Sequence, residues 1–262
     1  MKLLLKVAFD GASFHGFQAQ PSDRTVQGVL TETFSSLFGE KMNVTGCSRT
    51  DSGVHAEFFA LTVEPEAARE GWLKIPPEKF HRAANDVLPG DISVLGAFIV
   101  NDDGFHPRYS VVSKEYVYRI EDAAAPSPFL RGRVYHTRRP LADADVTRMN
   151  EAAKGFVGRH DFSSFMAAGS KITDSVREVY TAEVARRGGL VEFTVSANGF
   201  LYNMVRIMAG TLIDVAEGRL SPSDIPVVIE RRDRAAAGAT LPPDGLYLHG
   251  VKYPFEPVWL AE

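Results

Sequence analysis

Between Phe200 and Ile213 the chain carries one charged side chain, Arg206, within a run that is otherwise apolar on nearly every side. Read as a helix from about Leu201 to Glu217, such a run is buried all round, and a guanidinium held there requires an acidic partner. Asp214 lies about two turns further on and is able to face solvent. The fold must therefore bring a carboxylate to Arg206 from elsewhere, and Asp51 is a candidate. Such a pairing would hold that carboxylate ionised and oriented. An ordinary buried ion pair satisfies the same demand.

The remaining pattern alternates short strands with amphipathic helices. Leu3 to Phe9 reads as a strand opening into the turn Asp10-Gly11-Ala12-Ser13, and residues 26–38 have a helical period with Thr25 as cap. Strands near 42–47 and 57–64, a helix over 78–88 and a strand from Ile92 to Val100 complete a first part. The second part repeats the order loosely, with a strand at 115–120, a helix at 144–157, and a hairpin of 178–185 with 190–197 around Arg187-Gly188-Gly189. The long helix, a shorter one at 223–232 and a strand from Leu246 to Tyr253 follow. This predicts an α+β fold of two similar halves, 1–104 and 105–262, with mainly antiparallel sheets flanked by helices. Asn101 to Gly104 and Ala123 to Pro128 are the linker candidates.

Several classes of function lack their markers. No apolar run approaches the roughly 20 residues of a membrane span, and Met1 to Lys6 is too short and too quickly charged for a signal peptide, which points to the cytoplasm. One cysteine, Cys47, allows no internal disulfide. The histidines at 15, 55, 81, 106, 136, 160 and 249 show no local pair at ligand spacing, so no metal is expected. Phosphate-loop and dinucleotide glycine motifs are also missing. Any reaction is expected to run on side chains alone, without a cofactor. A net charge of −4 argues mildly against a polyanionic partner. Against it stands a basic cluster of Arg131, Arg133, Arg138 and Arg139 with His136, which reads equally well as a solvated strand surface or as a nucleic-acid contact.

The chemistry-bearing stretches are few. GCSRTDSGVHA at 46–56 sets Arg49, Thr50 and Asp51 between two strands. A carboxylate with an ordinary pKa of about 3.9 is ionised at neutral pH and acts as a nucleophile without a base, given an electrophile such as an anomeric carbon. The alternative is a turn aspartate bonded to its own backbone. Phe105-His106-Pro107-Arg108 puts His and Arg on a loop, and Tyr116 shares a strand face with Tyr118, where core packing is the commoner role.

Taken together, these stretches resemble the bacterial tRNA pseudouridine synthase A (TruA) family. The matching segments are FDGASFHGFQAQ at 9–20, TVQGVL at 25–30, GCSRTDSGVHA at 46–56, NDVLPGDISV at 85–94, FHPRYS at 105–110, KEYVYRI at 114–120, HDFSSF at 160–165, NGFLYNMVRIMAGTLIDV at 198–215 and GLYL at 245–248. The resemblance implies a pseudouridine synthase fold with an active-site cleft between its halves, the first half carrying the nucleophile and the second completing the site and a dimer interface. It implies isomerisation of uridine to pseudouridine at tRNA positions 38, 39 and 40 in the anticodon stem-loop, with the target base flipped out at a cost of a few kcal/mol.

By the same resemblance Asp51 is the catalytic nucleophile, and Arg49 helps to eject and replace the target base. Tyr116 is a catalytic residue that stacks on the uracil and is a candidate base, Arg206 is the basic partner of the nucleophile, and Leu246 lines the pocket. Phe105, His106 and Arg108 are expected to contact substrate. The implied partners are tRNA and a second copy of the chain, with one tRNA lying across both subunits. Two departures stand out: Phe58-Phe59 replaces the family's usual Gly-Gln, and Phe17 stands where a tryptophan is common. The rival readings are a tRNA-binding folding aid that has lost catalysis on the same fold, and a hydrolase using Asp51.

Overall fold

The computed structural model describes residues 1–260 apart from 68, 70, 138 and 170–172. The chain forms two compact units, unit 1 comprising Met1–Val112 and Leu248–Glu262 and unit 2 comprising Ser113–Tyr247. The single division at 104 expected from sequence differs from this path. The chain leaves unit 1 after Val112 and re-enters it at Leu248, because the last strand, β10 (Leu246–Lys252), runs for most of its length beside a strand of unit 1.

In unit 1, β1 (Lys2–Phe9) lies between β3 (His55–Pro65) and β4 (Ile92–Val100), antiparallel to both. Leu5 opposes Leu61 on one side and Ala97 on the other. Leu3, Leu4 and Leu5 are all fully buried, as a central strand requires. β2 (Met42–Gly46) pairs antiparallel with the far end of β3. Helix α1 (Val26–Phe38) starts where Thr25 accepts a hydrogen bond from the Gly28 N–H at 3.2 Å and stops at Gly39, whose φ of 68° takes the left-handed conformation. Its buried residues Val26, Leu30 and Phe34 recur every four positions, which gives one core-facing stripe. α2 (Pro77–Asn85) packs on β4, and Phe80 of α2 meets Phe34 at 5.7 Å between ring centres.

Unit 2 is built on β5 (Ser113–Glu121), β6 (Tyr135–His136), β7 (Gly158–Asp161), β8 (Val176–Arg187) and β9 (Leu190–Ala197). β5, β9, β8 and β7 follow one another antiparallel, and the short β6 pairs parallel with β5. The β8–β9 hairpin closes on Gly188 and Gly189, both at positive φ, as its two-residue turn demands. Helices α3 (Asp143–Lys154) and α4 (Met204–Ala216) pack together, and α5 (Asp224–Arg231) follows. Eleven of the thirteen α4 residues are buried; Arg206 and Asp214 are the two that are not. The two-residue β6 and the four-residue β7 have no periodicity to announce them, and the sequence does not reveal them. Among the described residues no helix is long and apolar enough to cross a membrane.

Candidate active site

Arg49 and Asp51 sit on the loop between β2 and β3, and the backbone there is held from one side by the segment 11–17. The Phe17 N–H donates to the Thr50 carbonyl at 3.2 Å, and beyond Asp51 the Gly53 N–H and the Ser52 hydroxyl both donate to the Phe14 carbonyl, at 3.2 and 3.3 Å. Asp51 is thus fixed by bonds to the residue before it and to the two after it. The turn from Asp51 to Val54 closes on a 3.2 Å backbone bond and needs Gly53, at φ 80°. Arg49 is exposed and Asp51 half-buried.

The bracing segment can come this close only because it carries glycines. A Cβ on Gly16, itself at φ 84°, would lie 2.5 Å from the Thr50 carbonyl oxygen, and one on Gly11 would lie 2.0 Å from that of Val54. Gly11 also donates its N–H to Nδ1 of His55, the buried first residue of β3, at 3.0 Å. Phe14 is capped by the Arg24 guanidinium 4.0 Å above its ring, and Arg24 in turn holds Asp91 through two bonds of 2.8 and 3.0 Å. Behind the loop Phe17 stacks on Phe59 at 4.4 Å between ring centres, with both rings buried. Phe17 and Phe59 therefore fill one space together. Phe58 lies under the Lys6 ammonium at 4.7 Å and edge-on to Trp259.

Phe105, His106 and Arg108 lie on the loop after β4. Phe105 is 2% exposed, packed against Tyr253 and Phe255, and its carbonyl accepts from Lys2 Nζ at 2.9 Å. Its ring offers no surface to a ligand and serves to anchor the loop. Tyr253 adds a bond from its hydroxyl to the Pro107 carbonyl at 2.8 Å, and burial keeps that phenol protonated far above the usual range. The His106 ring lies against the exposed ring of Tyr109, 4.4 Å between centres, and its Nδ1 accepts from the Arg108 N–H at 3.1 Å. Burial, with the charges of Arg108 and Lys2, holds the imidazole below its ordinary pKa and therefore neutral.

In unit 2, Tyr116 on β5 is 7% exposed and meets Phe200 edge-on, 5.0 Å between ring centres and 83° between planes. Tyr118, on the same face, is fully buried and donates its hydroxyl to the Pro242 carbonyl at 2.7 Å; burial raises its pKa far beyond any working pH. It is a packing residue. Leu246, buried, opens β10. Arg206 on α4 donates Nε–H to the Leu241 carbonyl and Nη1–H to the Asn203 side-chain oxygen, each at 2.7 Å. The segment bearing Leu241 reaches α4 because Gly210 and Gly238 have no side chains. A Cβ on Gly210 would lie 1.9 Å from the Ala239 oxygen, and the Thr211 hydroxyl accepts from the Gly238 N–H at 2.9 Å. Asp214 is engaged by Arg219, whose Nε donates to it at 2.8 Å.

Arg139 bonds Asp145 at 3.2 Å and the Ala216 carbonyl at 2.9 Å, the His136 ring lies 2.9 Å from the Ala123 carbonyl, and Arg138 lies outside the described residues. Arg131 and His136 line a pocket of about 440 Å³ with Glu121, Tyr135 and Asp244.

The profile of a family described as "tRNA pseudouridine synthase" matches residues 6–110 and 152–254. This chain belongs to the tRNA pseudouridine synthase family. Among curated relatives, the tRNA pseudouridine synthase A of Caldicellulosiruptor saccharolyticus is 42% identical over 251 residues, covering 96% of this chain and 99% of that protein. That of Ruminiclostridium cellulolyticum is 43% identical over 253 residues, with the same two coverages. That of Bacillus subtilis is 41% identical over 255 residues, covering 97% and 99%. A solved structure of a Cbf5-Nop10-Gar1 complex aligns at 12% identity and a TM-score of 0.36, over 94% of this chain and 58% of that one, a likeness too low to carry an argument. Arg49, Asp51, Phe105, His106, Arg108, Arg206 and Leu246 all fall within the segments matched by the tRNA pseudouridine synthase profile, and Tyr116 falls between them. The braces of that family loop, Gly11, Gly16 and His55, and the Asn203 and Leu241 partners of Arg206 went unassigned in sequence. For the loop, the glycines of FDGASFHG and the histidine of GCSRTDSGVHA were the visible sign.

Proposed function

We propose that this chain isomerises uridine to pseudouridine in tRNA, at positions 38, 39 and 40 of the anticodon stem-loop, with Asp51 as nucleophile. The observation that carries the reading is family membership over nearly the whole chain, with GCSRTDSGVHA intact. In this reaction the bond from C1′ to N1 breaks, the uracil turns, C5 bonds to C1′, and C5 then loses its proton. No electrons or phosphate are exchanged, so side chains suffice and no cofactor is assigned. A carboxylate is ionised at neutral pH, and a nucleophile held on a braced turn has its approach to the sugar set in advance.

Arg49, exposed beside the nucleophile, fills the gap that the flipped base leaves, and Tyr116 stacks on the uracil with its ring plane fixed by Phe200. Arg206 is the basic partner of the nucleophile and Leu246 an apolar wall. His106 and Arg108 contact the RNA, and Phe105 acts through the loop it anchors. In support of a polar ligand, Thr50 Oγ1 and Arg108 Nε are buried with no hydrogen-bond partner among the described residues. The enzyme works in the cytoplasm as a homodimer, two copies of a chain of net charge −4 framing one positive cleft around one tRNA.

The test is incubation of the protein and its Asp51→Asn variant with unmodified tRNA transcript, followed by carbodiimide-dependent reverse-transcription mapping. Stops at 38, 39 and 40 with the parent alone support the reading. No product from either protein, with tRNA still bound, makes the chain a folding aid; free uracil makes it a hydrolase. Light scattering reads the dimer.

A further inference from the structure

We propose that Asn203 is a positioning residue for the reaction, its side-chain oxygen fixing the rotation of the Arg206 guanidinium. The proposal rests on the reading above in which Arg206 takes part in the chemistry.

Asn203 precedes α4 and has φ 61° and ψ 9°, one of three non-glycine residues at positive φ among the described residues. An asparagine at a helix N-cap ordinarily sits in extended conformation and gives its side-chain oxygen to the backbone N–H two or three residues on. Asn203 does neither. It makes no side-chain cap bond, and its Oδ1 accepts instead from Nη1 of Arg206, the third residue of the helix, at 2.7 Å. The backbone departure and the diverted side chain have one common result, an acceptor at the guanidinium.

A guanidinium is planar and presents its N–H groups in a rigid fork, so two bonds to different nitrogens define its plane and its rotation within that plane. The second bond here runs from Nε to the Leu241 carbonyl. Leu241 is held in turn, since its own N–H donates to the Arg206 carbonyl at 3.3 Å and its segment rests on Gly210. The Leu241 bond fixes the Nε end of the fork, and the Asn203 bond at Nη1 fixes its rotation about that end, which bears on the edge of Arg206 that meets a reacting group. Asparagine suits the position because it tolerates the left-handed conformation and accepts without adding charge.

The test uses the full chain with saturating enzyme and a tRNA transcript, measuring single-turnover pseudouridine formation, tRNA affinity by filter binding, and thermal melting. Asn203→Gly keeps the backbone conformation and removes the acceptor. Its rate is expected to fall roughly 10- to 100-fold, with affinity within about twofold of the parent and no loss of melting temperature. Asn203→Asp, which restores an acceptor, should recover to within about fivefold of the parent on the same geometric ground. In an Arg206→Lys background Asn203→Gly should cost nothing further, because its effect passes through the guanidinium. An Asn203→Gly variant at the parental rate, or one that loses as much again in the Arg206→Lys background, overturns the proposal. A parent that makes no pseudouridine, or an Arg206→Lys variant at full rate, removes the reading beneath and the proposal with it.

Discussion

Gly16 and Thr50 stand so close that a methyl group on the first would lie 2.5 Å from the carbonyl oxygen of the second. Gly16→Ala therefore meets both a left-handed φ and a backbone clash. We expect a destabilisation of about 1–3 kcal/mol. A displacement of even about 1 Å at Asp51 should lower single-turnover pseudouridine formation on the order of 100-fold. Parallel thermal melts and rate measurements at a temperature where the variant remains folded check this. A Gly16→Ala variant reacting at the parental rate contradicts the brace.

Gly210→Ala makes the corresponding test on α4. A helix normally gains from this exchange, by about 1 kcal/mol. Here the methyl group would lie 1.9 Å from the Ala239 oxygen, so the segment that gives Leu241 to Arg206 must move away. Both stability and rate should fall, and the loss of rate should persist well below the variant's melting point. A more stable, fully active variant would show that the contact has no consequence.

Asp122 carries a pH prediction. It takes two 3.0 Å bonds from Arg186 and one of 3.1 Å from the Leu141 N–H, and the Arg186 bonds above all hold its carboxyl below the ordinary value of 3.8. A depressed carboxylate contributes stability above its unfolded pKa, which is lost as pH falls through its folded value. Asp122→Asn should cost about 2 kcal/mol at neutral pH, a figure reduced for the half-exposed Arg186. The cost should vanish in acid below the folded value. Urea titrations of parent and variant at neutral pH and in acid read the difference directly.

His106 titrates in the opposite charge sense with the same pH direction. Its pKa lies below 6.5, so the loop is intact at neutral pH and loses stability as pH falls through the depressed value. Proton binding at Nδ1 also removes the acceptor of the Arg108 N–H. NMR titration of the His106 ring should give a midpoint under 6.5, with the Arg108 amide shifting in step. A midpoint at or above 6.5 contradicts the assignment.

Much of this was legible in the chain because it is local. Thr25 announces the start of α1 since capping involves three residues, and Gly188-Gly189 announces the hairpin since its turn involves two. The SRTDSGVHA loop could be named for the same reason. What sets its geometry could not, because Gly11 and Gly16 act through carbonyls 43 and 34 positions away. Arg206 stands out in sequence as a cation in need of partners, yet two of those it has are a main-chain oxygen and a neutral amide. Neither leaves a charge pattern to read. Phe105 shows the same limit: its place in a polar motif does not reveal that its apolar ring is buried.

Unit 1 is assembled from two separated segments, Met1–Val112 and Leu248–Glu262, with unit 2 inserted between them. During vectorial synthesis the inserted unit has its whole sequence outside the ribosome while its host still lacks a strand. The loop carrying Arg49 and Asp51 is thus made early, and the sheet behind it is completed only once β10 has emerged.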